Sequence, residues 1–116
     1  MFEKHDKEGY RAALPGIRMK TLCYGTRTLM TEVALKQGSV LPLHSHPHEQ
    51  TGYLVKGRIR LRIGEQEHDV DAGDSWCIPS GQEHGAVTLE DSVAVEVFSP
   101  VREDYLPTGP GVPSRR

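Results

Sequence analysis

Cysteine is scarce in this chain: Cys23 and Cys77 are the only two, and they match no paired zinc spacing. That argues against a disulfide scaffold and against a thiolate metal site. Cys77, within Trp76-Cys77-Ile78, reads as a small buried hydrophobe. Long apolar runs are missing as well, so no stretch is suited to span a bilayer. Residues 1–9 are charged and polar and lack a signal-peptide core. The expectation is a cytoplasmic protein with no membrane partner. No sign of charge dominates either: 14 basic and 16 acidic side chains leave a net charge of -2. Without a basic stripe, a nucleic-acid partner is not expected. Arg58, Arg60 and Arg62 alternate with Ile59, Leu61 and Ile63, which reads as the wet face of a half-buried strand.

Helical periodicity is almost absent. What replaces it is two-residue alternation broken by glycine, proline and acidic turn residues. Leu29, Thr31, Val33 and Leu35 alternate with Met30, Glu32 and Ala34. Further strands are expected at 40–46, 52–55, 58–63, 68–70, 76–78, 86–89 and 93–98, with turns at Lys56-Gly57 and Glu90-Asp91 between the paired segments. Seven or more short strands in 116 residues argue for one all-β domain, a closed antiparallel barrel or a sandwich. Residues 1–27 are expected to supply the first strand or strands and a contact between two copies, and 28–106 the barrel. Residues 107–116, rich in proline and glycine, are expected to form a flexible tail.

The densest chemistry is His44-Ser45-His46-Pro47-His48-Glu49-Gln50. Histidines at i and i+2 on an extended strand point to one face and present two neutral nitrogen donors to one point. Borderline divalent ions such as Zn²⁺, Ni²⁺, Fe²⁺ and Mn²⁺ accept such donors. His48 shares their parity and reads as a rim histidine that hydrogen-bonds near the site and is expected to contact a bound substrate. Glu49 starts on the opposite face and is a reserve ligand. His5 and His68 lie among polar residues and read as surface groups.

Spacing extends the pattern. Gly38 is followed after five residues by His44-x-His46, after three by Gln50 and after six by Gly57. Fifteen residues on, Gly73 is followed after five by Pro79-x-Gly81 and after two more by His84. This pair of motifs resembles the cupin superfamily, whose members are small jelly-roll β-barrels. The resemblance implies one divalent metal ion held by His44, His46, Gln50 and His84. Gln50 stands where many cupins carry glutamate, and Thr88 where many carry asparagine. Three imidazoles and an amide would leave the charge of the metal uncompensated by its ligands, which favours an anionic molecule as partner. Open positions and a Cys-free set are unlike closed structural zinc sites.

A narrower resemblance is to the KdgF-type subgroup of small single-domain cupins. It rests on residues 44–50, on Gly52-Tyr53-Leu54-Val55, and on the string from Glu96 to Leu106. That subgroup also carries glutamine at the fourth ligand position. It acts on 4,5-unsaturated uronates and promotes their conversion to the linear keto-deoxyuronate. The resemblance gives Glu96 an acid/base role in place of an aspartate, with Phe98 and Arg102 as substrate contacts and Arg102 as the anion clamp. It implies a metal-dependent isomerase on a small anionic sugar derivative, and a homodimer. A non-haem metal dioxygenase and a small-ligand sensor without turnover stay open. Strand parity leaves Glu96 open too: Val93, Val95 and Val97 alternate with Ala94, Glu96 and Phe98, and either set can face inward. Arg102 can equally be a surface residue paired with Glu103 or Asp104, and Trp76 plain core.

Overall fold

Alternation of small and branched apolar residues with polar ones builds eight strands, and a computed structural model describes residues 1–107. The strands are β1 (Arg11–Leu14), β2 (Ile17–Tyr24), β3 (Leu29–Leu35), β4 (Val40–His44), β5 (Glu49–Ile63), β6 (Gln66–Asp71), β7 (Ser75–Ile78) and β8 (His84–Ser99). One short 3-10 turn, Glu103–Tyr105, follows. All pairings are antiparallel, in the order β1-β2-β3-β8-β5-β6, with β4 also on β8 and β7 also on β5. This is the expected all-β jelly-roll barrel. β1 and β2 extend the same sheet as β3. The expected tail falls almost wholly outside the described residues. No helix among the described residues is long and apolar enough to cross a membrane.

Two expected turns are not turns. The segments 52–55 and 58–63 belong to one strand, β5, and 86–89 and 93–98 to another, β8. The reason is that Lys56-Gly57 and Glu90-Asp91 lie opposite each other, where both strands bend together and the register slips between Leu54 and Ile59. Ser92 holds the bend: its Oγ accepts the Arg58 N–H at 3.0 Å and donates to the Glu90 carbonyl at 2.7 Å. Gly57 takes φ +96°, which a side chain would resist, and a Cβ there would lie 2.1 Å from Ser92 Oγ. By bending, β5 and β8 each serve both walls of the barrel. The expected strand at 40–46 also ends early, at His44. Its pairing with β8 runs out at His44↔His84, and Pro47 cannot donate to a ladder.

The interior follows the alternation. Ile17, Leu35, Leu54, Ile59, Leu61, Val70, Ala86 and Ala94 form the main core, and Leu29, Phe98 and Val101 a second cluster near the C-terminal end of β8. Arg58 and Arg60 point to water and pair with Asp71 and Asp69, as expected of a wet face. Cys77 is a correction: it is exposed, because Trp76 and Ile78 are the inward residues around it and Ile78 is the buried one. His5 and His68 are exposed as expected.

The bend yields a stability prediction. Gly57→Ala forces its methyl against Ser92 and the Asp91 carbonyl and is expected to cost about 2–4 kcal/mol in urea unfolding. A change within about 0.5 kcal/mol would contradict the role of Gly57 in the bend.

Candidate metal centre

The three motif histidines meet at the mouth of the barrel. His44 ends β4, His46 follows it in the loop, and His84 opens β8 opposite His44. One ring nitrogen from each lies within 4.8 Å of the others. The Nδ1 atoms are all spoken for: they sit 2.9 Å from the Pro42 carbonyl, 3.0 Å from the His48 carbonyl and 2.9 Å from the Gln82 carbonyl, for His44, His46 and His84 respectively. Carbonyl oxygens only accept, so each Nδ1 carries the proton and each Nε2 keeps a lone pair. His84 is 1 % exposed, and its Nε2 is buried with no hydrogen-bond partner.

Gln50 completes the arrangement. It lies buried on β5, with its Oε1 3.0 Å from His46 Nε2 and its Nε2 donating to Glu96. A carboxylate accepts only, so Glu96 draws the NH₂ end of the amide and turns the carbonyl end toward the histidines. His46 then faces an oxygen at each ring nitrogen, while a neutral imidazole has one proton to give. A second proton is disfavoured: burial lowers the His46 pKa, and the Arg102 charge lowers it further. Burial lowers the His84 pKa too, with the charges of its neighbours adding to it. A divalent cation held here would resolve the contact between two lone pairs and satisfy the orphaned His84 nitrogen. The donor set of three imidazole nitrogens and one amide oxygen therefore fits such an ion.

Glu96 lies on the inner face of β8, and the valines lie outside; this settles the parity left open by the alternation. The residue is half-buried, and burial of its carboxyl raises the pKa, opposed by the Gln50 and Trp76 donors and by the Arg102 charge. Gly52 makes this possible. It lies between Trp76 on β7 and Glu96 on β8, and the indole occupies the space its Cβ would fill, 2.2 Å away. Trp76 Nε1 is buried without a hydrogen bond of regular geometry, but it lies on the side of the Glu96 carboxyl and helps hold its pKa down.

A cavity of about 100 Å³ joins these groups, and His44, Gln50, Trp76, His84, Glu96, Phe98 and Arg102 line it. Phe98 is 4 % exposed and meets the edge of His46 at 5.8 Å. Arg102 does pair with Asp104, the surface alternative, yet its side chain is only 15 % exposed and it lines the cavity. His48 sits beside His46 at 5.7 Å between ring centres, outside the three-histidine cluster; its contribution is its backbone carbonyl. Glu49 is exposed, on the outer face of β5. Tyr105 and Arg11 also border the site and were not singled out in the sequence, since what brings them there is the folding back of 100–106 onto β1 and β2.

Comparisons agree with this geometry. The Cupin domain family matches residues 31–100. The pectin degradation protein KdgF of Dickeya dadantii is 30% identical over 93 residues, spanning 78% of this chain and 84% of its own length. The structure of KdgF from a Halomonas species superposes with a TM-score of 0.86 at 30% identity, covering 91% of this chain and 98% of that one. An RmlC-like cupin from Shewanella frigidimarina also gives 0.86, at 25% identity, over 90% and 95% of the two chains.

The lowered pKa values of His46 and His84 keep these two imidazoles neutral as pH falls past the ordinary value of 6.5. Protons then compete with a metal only below that value. Equilibrium dialysis with Ni²⁺ or Zn²⁺ is expected to give one ion per chain, with half-release below pH 6.5, and no retention in His84→Ala. Half-release above pH 7, or full retention in the variant, would contradict the site.

Proposed function

The chain belongs to the cupin family, and from that premise we propose that it is a metal-dependent enzyme opening and tautomerising a small 4,5-unsaturated uronate. One observation carries the reading: Gln50, Glu96, Phe98 and Arg102 share one cavity with His44 and His84, so an anion clamp, a proton carrier and a cation site face the same space. The likeness to the pectin degradation protein KdgF supports it from a second direction.

A divalent ion at the histidines would supply positive charge to an oxygen that becomes anionic. The rest of the chemistry belongs to the chain. Arg102 binds the uronate carboxylate with paired N–H donors. Glu96, as carboxylate, takes the proton of the anomeric hydroxyl. The bond from C1 to the ring oxygen then breaks, leaving an aldehyde at C1 and an enolate at C5. Glu96 returns the proton to C4, and the enolate becomes the C5 ketone. Atoms balance with no co-reactant, since the proton lost at the hydroxyl reappears on carbon. The raised pKa of Glu96 suits a group that must hold a proton between two steps. Phe98 and Trp76 wall the cavity against water, which protects the enolate from stray proton exchange.

The conjugated alkene-carboxylate absorbs in the ultraviolet, so turnover reads as its loss. Metal-loaded wild type is expected to accelerate that loss. Glu96→Gln keeps an acceptor for Gln50 and should lower kcat by about 10²-fold or more, while Arg102→Lys should act mainly on KM. No acceleration by wild type overturns the enzymatic reading; binding of the uronate without turnover assigns the site to ligand sensing.

A further inference from the structure

Arg102 is held in an unusual number of ways. Beyond the end of β8, Val101 is buried against Leu29 and Phe98 and anchors the segment that carries Arg102. The guanidinium carbon then lies 5.1 Å from the Phe98 ring centre and 4.1 Å from that of Tyr105. Face contacts of this kind fix the plane of a guanidinium and leave it free to turn within that plane. Asp104 removes the remaining freedom: Nε donates to its Oδ1 at 3.2 Å and Nη2 to its Oδ2 at 2.8 Å. Asp104 is in turn held through its backbone, because its carbonyl accepts from Arg11 Nη2 of β1 at 3.3 Å, and the neighbouring Tyr105 carbonyl accepts from Thr21 of β2.

From this geometry we propose that Asp104 is a positioning residue that presents the free Nη1–Nη2 edge of Arg102 to an anion in the cavity. The inference rests on Arg102 acting as the anion clamp of the proposed function. A guanidinium carries five N–H groups, and Asp104 occupies the Nε–Nη2 edge only. The other edge makes no further hydrogen bond among the described residues and remains available for a second carboxylate. Asp104 therefore orients the clamp without filling it. Its side chain is 57 % exposed against 15 % for that of the arginine, so the pair lies with the acid toward solvent and the base toward the cavity. Partial burial works against ionisation of Asp104, but the Arg102 hydrogen bonds and charge outweigh it and keep the carboxyl below its ordinary pKa.

Charge alone predicts the opposite sign. A carboxylate on Arg102 weakens its pull on an anion, so removing Asp104 would tighten binding if charge were the whole effect. Positioning predicts weaker binding. Glu103 carries the same formal charge on the same turn, and among the described residues its side chain makes no hydrogen bond or ion pair with the Arg102 guanidinium, which makes it the control.

Titration of the metal-loaded protein with D-galacturonate, a saturated uronate that lacks the 4,5-alkene and cannot form the keto product, reads binding without that turnover. Asp104→Asn is expected to weaken binding on the order of tenfold, Asp104→Glu to recover part of it, and Glu103→Gln to match wild type. With unsaturated uronate, Asp104→Asn should raise KM by a similar factor and move kcat by no more than about twofold. Equal or tighter galacturonate binding by Asp104→Asn, or the same loss in Glu103→Gln, overturns the proposal, as does failure of wild type to bind galacturonate. Wild type that binds galacturonate but leaves unsaturated uronate untouched overturns the enzymatic reading alone, and the variants still decide the role of Asp104.

Discussion

One hydrogen bond decides what the mouth of this barrel can be: the Gln50 amide donating to the Glu96 carboxylate. An amide can present either end, and here the choice is forced. The carboxylate takes the N–H end, so the carbonyl oxygen turns to His46, whose nearer nitrogen is already a lone pair because its far nitrogen donates to the His48 carbonyl. Two acceptors at 3.0 Å in a site that resists protonation make a place for a cation. The same bond links that cation site to the group proposed to move protons. It also refines the electrostatics expected from the ligand set. Gln50 contributes no charge, but it carries Glu96 on its far side, so negative charge returns at one remove from the histidines.

The scaffold makes that bond available by ordinary strand geometry. β5 supplies Gln50 and β8 supplies Glu96, and both bend around Gly57 and Ser92 so that one pair of strands contributes to both walls. Across β7, β5 and β8, Trp76, Gly52 and Glu96 lie side by side. Where Gly52 has no side chain, the indole covers the backbone and reaches toward the carboxyl. A methyl there would strike the indole at 2.2 Å, so the wall of the cavity and the environment of Glu96 depend on one absent atom.

Much of this was legible in residue spacing. The intervals between Gly38, His44, His46, Gln50, Gly73 and His84 point to the fold and to a metal, and those histidines do converge. Spacing could not place Glu96, because Val93, Val95 and Val97 are as suited to a core as Ala94 and Phe98; only pairing with β3 and β5 chooses the face. Nor could it distinguish a bend from a turn. Lys56-Gly57 and Glu90-Asp91 have turn chemistry, but they face each other across the ladder, a relation between distant segments that local composition does not carry. Cys77 looked buried for a related reason: its neighbours are apolar, yet it takes the outward position between them. The role of Asp104 was hidden by its most ordinary feature, proximity in sequence to the arginine it holds.

The central claim is that Gln50 gives its oxygen to the metal while Glu96 holds its nitrogen. A crystal structure of the metal-loaded protein, with the ion located by anomalous scattering, tests this directly. The account predicts three imidazole Nε2 atoms and Gln50 Oε1 around one ion, at about 2.0–2.2 Å, with Gln50 Nε2 still on Glu96. An ion bound instead by a Glu96 or Glu49 carboxylate, with the Gln50 amide turned away, would contradict it.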